Sequence, residues 1–184
     1  MFEAADDLIL KAGTRMVTRG AAAVDFALTA GGNIHAPKLK VEAVGGSKNA
    51  TLSIEADGEV FLKGARLSVS SYPGFGTASV DITAGEELTG RGMFTNAFAT
   101  GTDFVRLRSE SGDLLLRGAS LYGDAIDTET CHGQGAGCGS FTPVLDVRGL
   151  KQRSTGSFCI DGQDVSDVED VIVKETKRSP VNGC

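Results

Sequence analysis

The architecture follows from one stretch of the sequence, TLSIEADGEVFLKGARLSVS, which spans residues 51–70. Apolar and polar residues alternate from Thr51 to Ala56 and again from Ala65 to Ser70. Alternation with a period of two is typical of a β-strand that buries one face. Gly58 lies between the two alternating segments, where the chain needs a turn. The stretch therefore predicts short strands separated by glycine corners.

Glycines recur at a fixed interval on both sides of this stretch. Four of them are equally spaced along the chain: Gly31, Gly58, Gly85 and Gly112. The third residue after each is large and apolar: Ile34, Phe61, Leu88 and Leu115. LKGARL at residues 62–67 returns as LRGASL at residues 116–121, two intervals later. A shared period indicates stacked structural repeats, and we expect Phe61, Leu88 and Leu115 to stack on one inner face.

Short strands, glycine corners and a period of about 27 residues predict an all-β fold, a β-solenoid whose rungs each contain three strands. Small inward residues suit the narrow interior of such a prism. The alanines expected there are Ala56, Ala65, Ala84 and Ala119. The alternative is an antiparallel β-sandwich, which has no need of a fixed period.

The composition limits the range of partners. The chain has 184 residues, 41% of them hydrophobic, and a formal net charge of −6. Proteins that bind nucleic acid or anionic membranes need a basic patch; the acidic balance predicts none, so we expect no nucleic-acid partner. No apolar run approaches the roughly 20 residues of a transmembrane helix. The acidic start, residues 1–7, is unlike a signal peptide, so we expect any targeting segment to lie outside this chain.

The cysteines predict an oxidising compartment. All four lie in the last third of the chain: Cys131, Cys138, Cys159 and Cys184. An even number clustered beside a cysteine-free region is typical of disulfides in an extracellular protein. Three pairings are open, and the one that closes the shortest loops joins Cys131 to Cys138 and Cys159 to Cys184. The triplet Asn49-Ala50-Thr51 is a glycosylation acceptor, which agrees with an extracellular or cell-surface location.

The same cysteines divide the chain into two parts. We predict a β-solenoid at residues 1–127 and a disulfide-stapled cap at residues 128–184, which covers the exposed backbone edge of the solenoid. Cys131, His132, Cys138 and Cys159 form an alternative zinc ligand set, but the spacing favours disulfides. The acidic run at residues 161–170 lacks the order of a calcium loop and is interpreted as a solvated turn. No metal or other cofactor is expected.

Catalytic motifs are scarce. His35 and His132 are the only histidines, and no nucleophile elbow, phosphate-binding loop or zinc-protease motif is present. Glu55, Asp81 and Arg108 follow each other at nearly the interval of the glycines, so they could form an outward ladder like the active face of a carbohydrate-active β-helix. The simpler interpretation is that charged residues alternate outward along strands.

Two segments, VRLRSESGDLLLRGASL at residues 105–121 and LSIEADGEVFL at residues 52–62, resemble the ectodomain repeats of sarcoglycans. Bacterial filamentous adhesins and phage fibres have similar rungs. The resemblance covers roughly residues 25–125. It implies an extracellular, non-enzymatic β-helix that assembles with sister chains and reaches a membrane only through a segment absent from this chain.

We therefore predict a structural or adhesive module, not an enzyme, that assembles with other chains as a homo- or hetero-oligomer, possible forms being a trimer or a filament. The alternative is a polysaccharide lyase or hydrolase on a β-helix. Because the first rung begins almost at Met1 without a recognisable polar cap, we expect residues 1–30 to lie at a contact between chains.

Overall fold

A computed structural model describes residues 1–72, 76–130, 144–153, 158–160, 163–164 and 172–173. Its secondary structure consists of 21 β-strands, which form sheets of eight, six and seven strands. Every strand pair is parallel except one hairpin near the C-terminus. The β-solenoid predicted from the sequence is confirmed for these residues, and the antiparallel sandwich is wrong.

Each rung contributes one strand to each sheet. Rung 1 contains β1 (Phe2–Ala4), β2 (Leu8–Ile9) and β3 (Arg15–Gly20). Rung 2 contains β4 (Val24–Ala30), β5 (Ile34–His35) and β6 (Lys40–Gly45). Rung 3 contains β7 (Ala50–Ala56), β8 (Val60–Phe61) and β9 (Arg66–Ser71). Rung 4 contains β10 (Ala78–Ala84), β11 (Leu88–Thr89) and β12 (Phe94–Ala99).

The later rungs continue the same three sheets. Rung 5 contains β13 (Asp103–Ser109), β14 (Leu114–Leu115) and β15 (Ser120–Tyr122). Rung 6 contains β16 (Ala125–Glu129), β17 (Leu145–Asp146) and β18 (Lys151–Arg153). Beyond them lie β19 (Phe158–Ile160), β20 (Gln163–Asp164) and β21 (Ile172–Val173). The predicted cap at residues 128–184 therefore includes β17 and β18, which extend the parallel ladder.

The interior is filled by columns of apolar side chains, one from each rung. Leu28, Ile54, Ile82 and Leu107 form one such column and are fully buried. The four alanines expected inside, Ala56, Ala65, Ala84 and Ala119, are buried as predicted. Phe26 is the one aromatic residue among the buried hydrophobic side chains of the described residues. The other buried hydrophobic side chains are aliphatic or, at Cys159, a small thiol, as suits a narrow interior.

The expected stacking of Phe61, Leu88 and Leu115 is wrong. Phe61 pairs with Thr89, and Thr89 pairs with Leu115. The buried column is instead Ile34, Val60, Leu88 and Leu114. The spacing within this column is unequal, because the step from Val60 to Leu88 is longer than the steps on either side of it. A shift of one residue turns a side chain to the opposite face of its strand, so Phe61 and Leu115 face outward.

The strands of the second sheet are only two residues long, so we call it the narrow sheet. The sheet that contains β1 is called the first sheet, and the sheet that contains β3 is called the third sheet. Between the narrow and third sheets, the connection has four residues in rungs 2–6 and five in rung 1. Between the third and first sheets, by contrast, it varies from two residues to six. Within rungs 1–5, differences in rung length therefore arise mostly at that last corner, whereas in rung 6 the longest connection, of 15 residues, joins the first and narrow sheets.

Candidate functional site

The narrow sheet lies between two corners of opposite charge. We call the corner between the first and narrow sheets the acidic corner. It carries two acidic residues in each of rungs 1, 3, 4 and 5: Asp6, Asp7, Asp57, Glu59, Glu86, Glu87, Glu110 and Asp113. All of them are exposed or half-buried. They form a negative row parallel to the solenoid axis.

Some polar side chains of the acidic corner bind the backbone of the next rung. Asp7 Oδ1 accepts a hydrogen bond from the Asn33 N–H at 2.8 Å. Asn33 Oδ1 in turn accepts one from the Glu59 N–H at 2.7 Å. Asp113 Oδ1 accepts one from the Val144 N–H at 2.8 Å. These bonds satisfy amide groups at the turn, so part of the negative charge here has a structural role.

We call the corner between the narrow and third sheets the basic corner. Ten of the 18 Lys and Arg residues of the chain lie there, all exposed: Lys11, Arg15, Lys38, Lys40, Lys63, Arg66, Arg91, Arg117, Arg148 and Lys151. Strand pairing places Arg15, Lys40 and Arg66 in one column. The composition predicted no basic patch, yet stacking of the rungs gathers one from residues that are far apart in the sequence.

A left-handed residue forms the turn in every rung at the basic corner. The φ angle is positive at Gly13, Lys38, Gly64, Gly92, Gly118 and Gly149, which together occupy this corner. Glycine adopts this conformation without steric cost, whereas other residues are strained in it. Lys38, with φ of 55°, is the one non-glycine residue with positive φ in the described part of the chain.

The signal for the basic corner was present in the sequence. A cation stands directly before the left-handed glycine in rungs 3–6, in the dipeptides at residues 63–64, 91–92, 117–118 and 148–149. Aligning the chain on these dipeptides would have shown the row. Net charge concealed it, because the acidic residues that outnumber these cations lie on other edges.

The outer face of the narrow sheet joins the two corners with one column of residues, three of which are apolar. The column consists of Ile9, His35, Phe61, Thr89, Leu115 and Asp146. Ile9, His35 and Phe61 succeed one another in register. The rings of His35 and Phe61 are stacked, with centroids 4.6 Å apart and planes 2° from parallel. Leu115 lies half-buried two rungs further on, and Ile9 is 73% exposed. We call this column, with the two charged corners, the narrow face.

A second cluster lies on the outer face of the first sheet. Arg108 pairs with Glu129 through Nε at 2.9 Å, and Arg106 Nε lies 3.6 Å from Asp127 Oδ2. Burial raises the pKa of Asp127, the neighbouring Glu129 carboxylate raises it further, and Arg106 opposes both. The Asp127 carboxyl group, beside two cations, therefore releases its proton less readily than a free aspartic acid.

The ladder considered from the sequence is only partly assembled. Glu55 and Arg108 share a column, with Thr83 between them. Asp81 belongs to the neighbouring column, where it pairs with Arg106. The nearly constant spacing in the sequence did not show that Asp81 belongs to another column. The number of residues between paired positions is larger from β7 to β10 than from β10 to β13, so equal spacing does not mean equal register.

Of the remaining predicted site residues, the structure describes Asn49 and Cys159. Asn49 is exposed, and its Oδ1 accepts a hydrogen bond from the Thr77 N–H at 3.2 Å. Cys159 is buried on β19. Cys131, His132, Cys138 and Cys184 lie outside the described residues, as does most of the acidic run at residues 161–170. Both disulfides, and glycosylation at Asn49, stay predictions.

Within the described ranges, no three His, Cys, Asp or Glu side chains are placed to hold a metal ion. The same part of the chain contains no helix that could span a membrane. Comparison of the chain with protein-family models, with curated proteins and with solved structures gives no match.

Proposed function

We propose that this chain is a non-enzymatic structural or adhesive module of the cell exterior, which presents a rigid surface and assembles with other chains. The observation that carries the proposal is the contrast between rung 1 and the rungs above it. Rung 1 is the outermost rung of this chain and its apolar side chains are partly exposed, whereas rungs 2–5 enclose a continuous core.

The exposure of rung 1 is visible in burial and in backbone pairing. β1, β2 and β3 are the outermost strands of the three sheets. Leu8 and Met16 are only half-buried, whereas Ile34 and Val41, their partners in rung 2, are buried. In addition, Phe2 is 50% exposed. Unpaired edge strands with apolar side chains are templates for pairing with another strand, so this end fits an assembly contact.

The backbone of β3 identifies the groups that would pair. Thr14 O accepts a hydrogen bond from the Lys40 N–H, which places that carbonyl on the side of rung 2. Because pairing groups alternate along a parallel strand, the Val17 N–H points to the open side. Val17 faces solvent and is 46% exposed, so a substitution there leaves the core intact.

Proline at this position tests the proposal. Val17→Pro removes one of the open-side donors, in the middle of β3, and proline blocks strand addition at an edge. The matched control, Val17→Thr, keeps the N–H and a β-branched side chain. Under the proposal the wild type and the Thr variant form species larger than 19.0 kDa at micromolar concentration in light scattering, and the Pro variant does not. A dispersed 19.0 kDa wild-type particle would contradict assembly through this end.

The extracellular assignment is supported by the four cysteines and by the exposure of Asn49. Intact-mass measurement after alkylation of the unreduced protein should show no free thiol. Four alkylated cysteines, or one zinc ion per chain, would contradict the assignment of two disulfides.

A carbohydrate-active β-helix is the second candidate, because Asp127 combines a raised pKa with a neighbouring carboxylate, as a general acid requires. The test is incubation with a panel of neutral and acidic polysaccharides, followed by measurement of new reducing ends. Activity that Asp127→Asn abolishes would favour this candidate over the structural role. If the wild-type chain cleaves none of the polysaccharides, the enzymatic candidate is excluded.

A further inference from the structure

We propose that the narrow face docks a second copy of this chain, with the two solenoid axes parallel and equal rungs side by side. This lateral contact is independent of end-on pairing through rung 1. It uses the acidic corner, the outward column that contains Ile9, His35, Phe61 and Leu115, and the basic corner.

The fold explains two charges of the basic corner, because Arg15 pairs with Glu42 and Arg148 pairs with Asp146, but it does not explain the others. Lys11, Lys38 and Lys63 form no ion pair with any described residue, and neither do Lys40, Arg66 and Arg91. Like charges in adjacent rungs repel one another. Rung 2 has a cation, Lys38, at the left-handed position of this corner, whereas the five other rungs have glycine there. Strain that persists at a surface position favours a functional role.

Both rows of charge have the same spacing, because each follows the parallel ladder with a repeat of about 4.8 Å. Rungs 1, 3, 4 and 5 each carry acidic residues at one corner and at least one cation at the other, at nearly the same height. In rung 3, for example, Glu59 lies at the acidic corner and Lys63 at the basic corner.

The sign pattern selects one of the two possible face-to-face dimers. A two-fold axis parallel to the solenoid axis exchanges left and right but preserves height, so each acidic corner meets the basic corner of the same rung in the partner. A two-fold axis across the face reverses height and leaves left and right unchanged, so acidic corners meet each other. Because like charges in contact are unfavourable, the parallel arrangement is preferred.

The outward column of the narrow sheet supplies the centre of the contact. Closing two faces along the parallel two-fold axis brings each outward side chain opposite its own copy, so the stacked pair of His35 and Phe61 meets its counterpart. A five-rung strip is only about 24 Å tall. Its area stays below the ~800 Å² per partner of a standard stable interface, so we expect a weak, salt-sensitive dimer.

A linear polyanion is a poorer occupant of the basic corner. The acidic corner runs beside it: Glu59 and Lys63, for example, are four residues apart, at most about 13 Å. That separation is well within the screening length of about 30 Å at 0.01 M salt, so at low salt a polyanion on one row is repelled by the other. A second copy satisfies both rows at once.

The experiment uses charge reversal in the full chain on the Val17→Pro background, which removes end-on pairing. One variant carries Lys63→Glu and Arg91→Glu; the other carries Glu59→Lys and Glu86→Lys, in the same two rungs. Sedimentation velocity measures the dimer dissociation constant, and melting curves verify that each variant is folded. Under the proposal each variant alone dimerises at least tenfold more weakly than the parent, and an equimolar mixture recovers the parental constant.

Raising the salt concentration from about 20 mM to about 500 mM should weaken the parental dimer at least tenfold. A parent that stays monomeric at low salt would overturn the proposal, as would a mixture that fails to recover. Heparin serves as the polyanion probe. Heparin binding that Lys63→Glu and Arg91→Glu abolish, without dimerisation of the parent, would assign the basic corner to a polyanion instead.

Orientation is tested by cysteine cross-linking. His35→Cys and Leu115→Cys, made in separate chains, should each form a disulfide with its own copy in the parallel dimer, because each outward side chain meets itself. In an antiparallel dimer, rung 2 would face the later rungs, and cross-links would form only in a mixture of the two variants. Non-reducing electrophoresis distinguishes these outcomes, and cross-links confined to the mixture would overturn the parallel arrangement.

Discussion

The two corners beside the narrow sheet turn the chain by different physical means. At the acidic corner successive rungs approach closely: a Cβ at Gly85 would overlap the main chain of Asp57 in the rung below. At the basic corner there is room, and a left-handed residue makes the turn; a Cβ at Gly92 would meet no atom within 4 Å. Backbone hydrogen bonds join successive rungs at both corners, for example from the Gly92 N–H to the Arg117 carbonyl at the basic corner. The acidic corner is packed tightly between rungs as well, whereas the basic corner depends on the left-handed conformation of single residues.

The strand that joins the two corners should show the largest effect. Leu88→Ala opens a cavity between Val60 and Leu114, and we expect a loss of about 2–5 kcal/mol in the free energy of unfolding. Leu115→Ala is the matched control in the next rung, because Leu115 faces outward and should cost less than half as much. Urea unfolding measures both. Equal losses would mean that the register at the narrow sheet is wrong.

Alanine substitution of one glycine at each corner tests the difference directly. Gly85→Ala forces main-chain movement between rungs and should cost about 1–3 kcal/mol. Gly92→Ala is destabilised by the left-handed conformation alone, about 1–2 kcal/mol. Gly92→Asn should recover part of that loss, because asparagine tolerates positive φ, whereas Gly85→Asn should recover nothing. Thermal unfolding of the four variants is sufficient, and recovery at both positions would remove the distinction between the corners.

Side-chain truncation should also separate the corners. Asp113→Ala leaves the Val144 N–H without its acceptor and should cost about 1 kcal/mol. Arg91→Ala removes an exposed side chain with no ion pair to a described residue, so its effect should lie within about 0.5 kcal/mol of zero. The comparison fails if Arg91→Ala destabilises the monomer as much as Asp113→Ala does.

Lys38 offers a gain in stability. Lys38→Gly relieves the left-handed strain of a residue with a side chain, although the more flexible unfolded chain offsets part of it. We expect a net stabilisation of about 0.5 kcal/mol in urea unfolding, measured on the Val17→Pro background so that assembly does not contribute. The same substitution at Lys40, on a regular strand, should be destabilising and serves as the control.

The smallest expected effect is a pH dependence of the free energy of unfolding, which arises from Asp146 beside the basic corner. Two hydrogen bonds from the exposed Arg148 guanidinium hold the pKa of Asp146 at about 2, below its usual range near 3.9. A lowered pKa in the folded state means that Asp146 stabilises the fold fully above about pH 4, and that this contribution is lost as the pH falls toward 2. The stability difference between the wild type and Asp146→Asn should therefore shrink over that interval. A difference independent of pH would contradict the assignment.

These corners also define what sequence could predict. The alternation of apolar and polar residues around Leu52 and Ile54 indicates which face of a strand is buried, and the frequent glycines indicate tight turns. The solenoid could therefore be predicted from the sequence. The register was not. Gly58 aligns with Gly32 rather than Gly31, and Gly85 aligns with Asp57, because neighbouring corner columns both accept glycine.

The candidate surface was hidden for a different reason. Lys63 and Arg91 become neighbours only when the register is known, and composition averages their charge with that of Glu59 and Glu86 on the opposite corner. Burial and the neighbouring Glu129 likewise raise the pKa of Asp127. Neither effect can be seen from the spacing of charged residues in the sequence. Periodicity therefore predicts the scaffold, whereas the electrostatic pattern requires the three-dimensional register.

The unequal connection lengths have a consequence for how such a chain can change. In rungs 1–5, differences in connection length are concentrated between the third and first sheets, where two to six residues join the strands, while the connection at the basic corner stays at four residues from rung 2 onward. A lineage can therefore lengthen loops on that seam, and acquire new epitopes or ligand contacts there, without disturbing the basic corner. Grafting a foreign peptide after Thr100 should leave the spacing of the charged rows unaltered, which makes that seam the natural place for display in an engineered fibre.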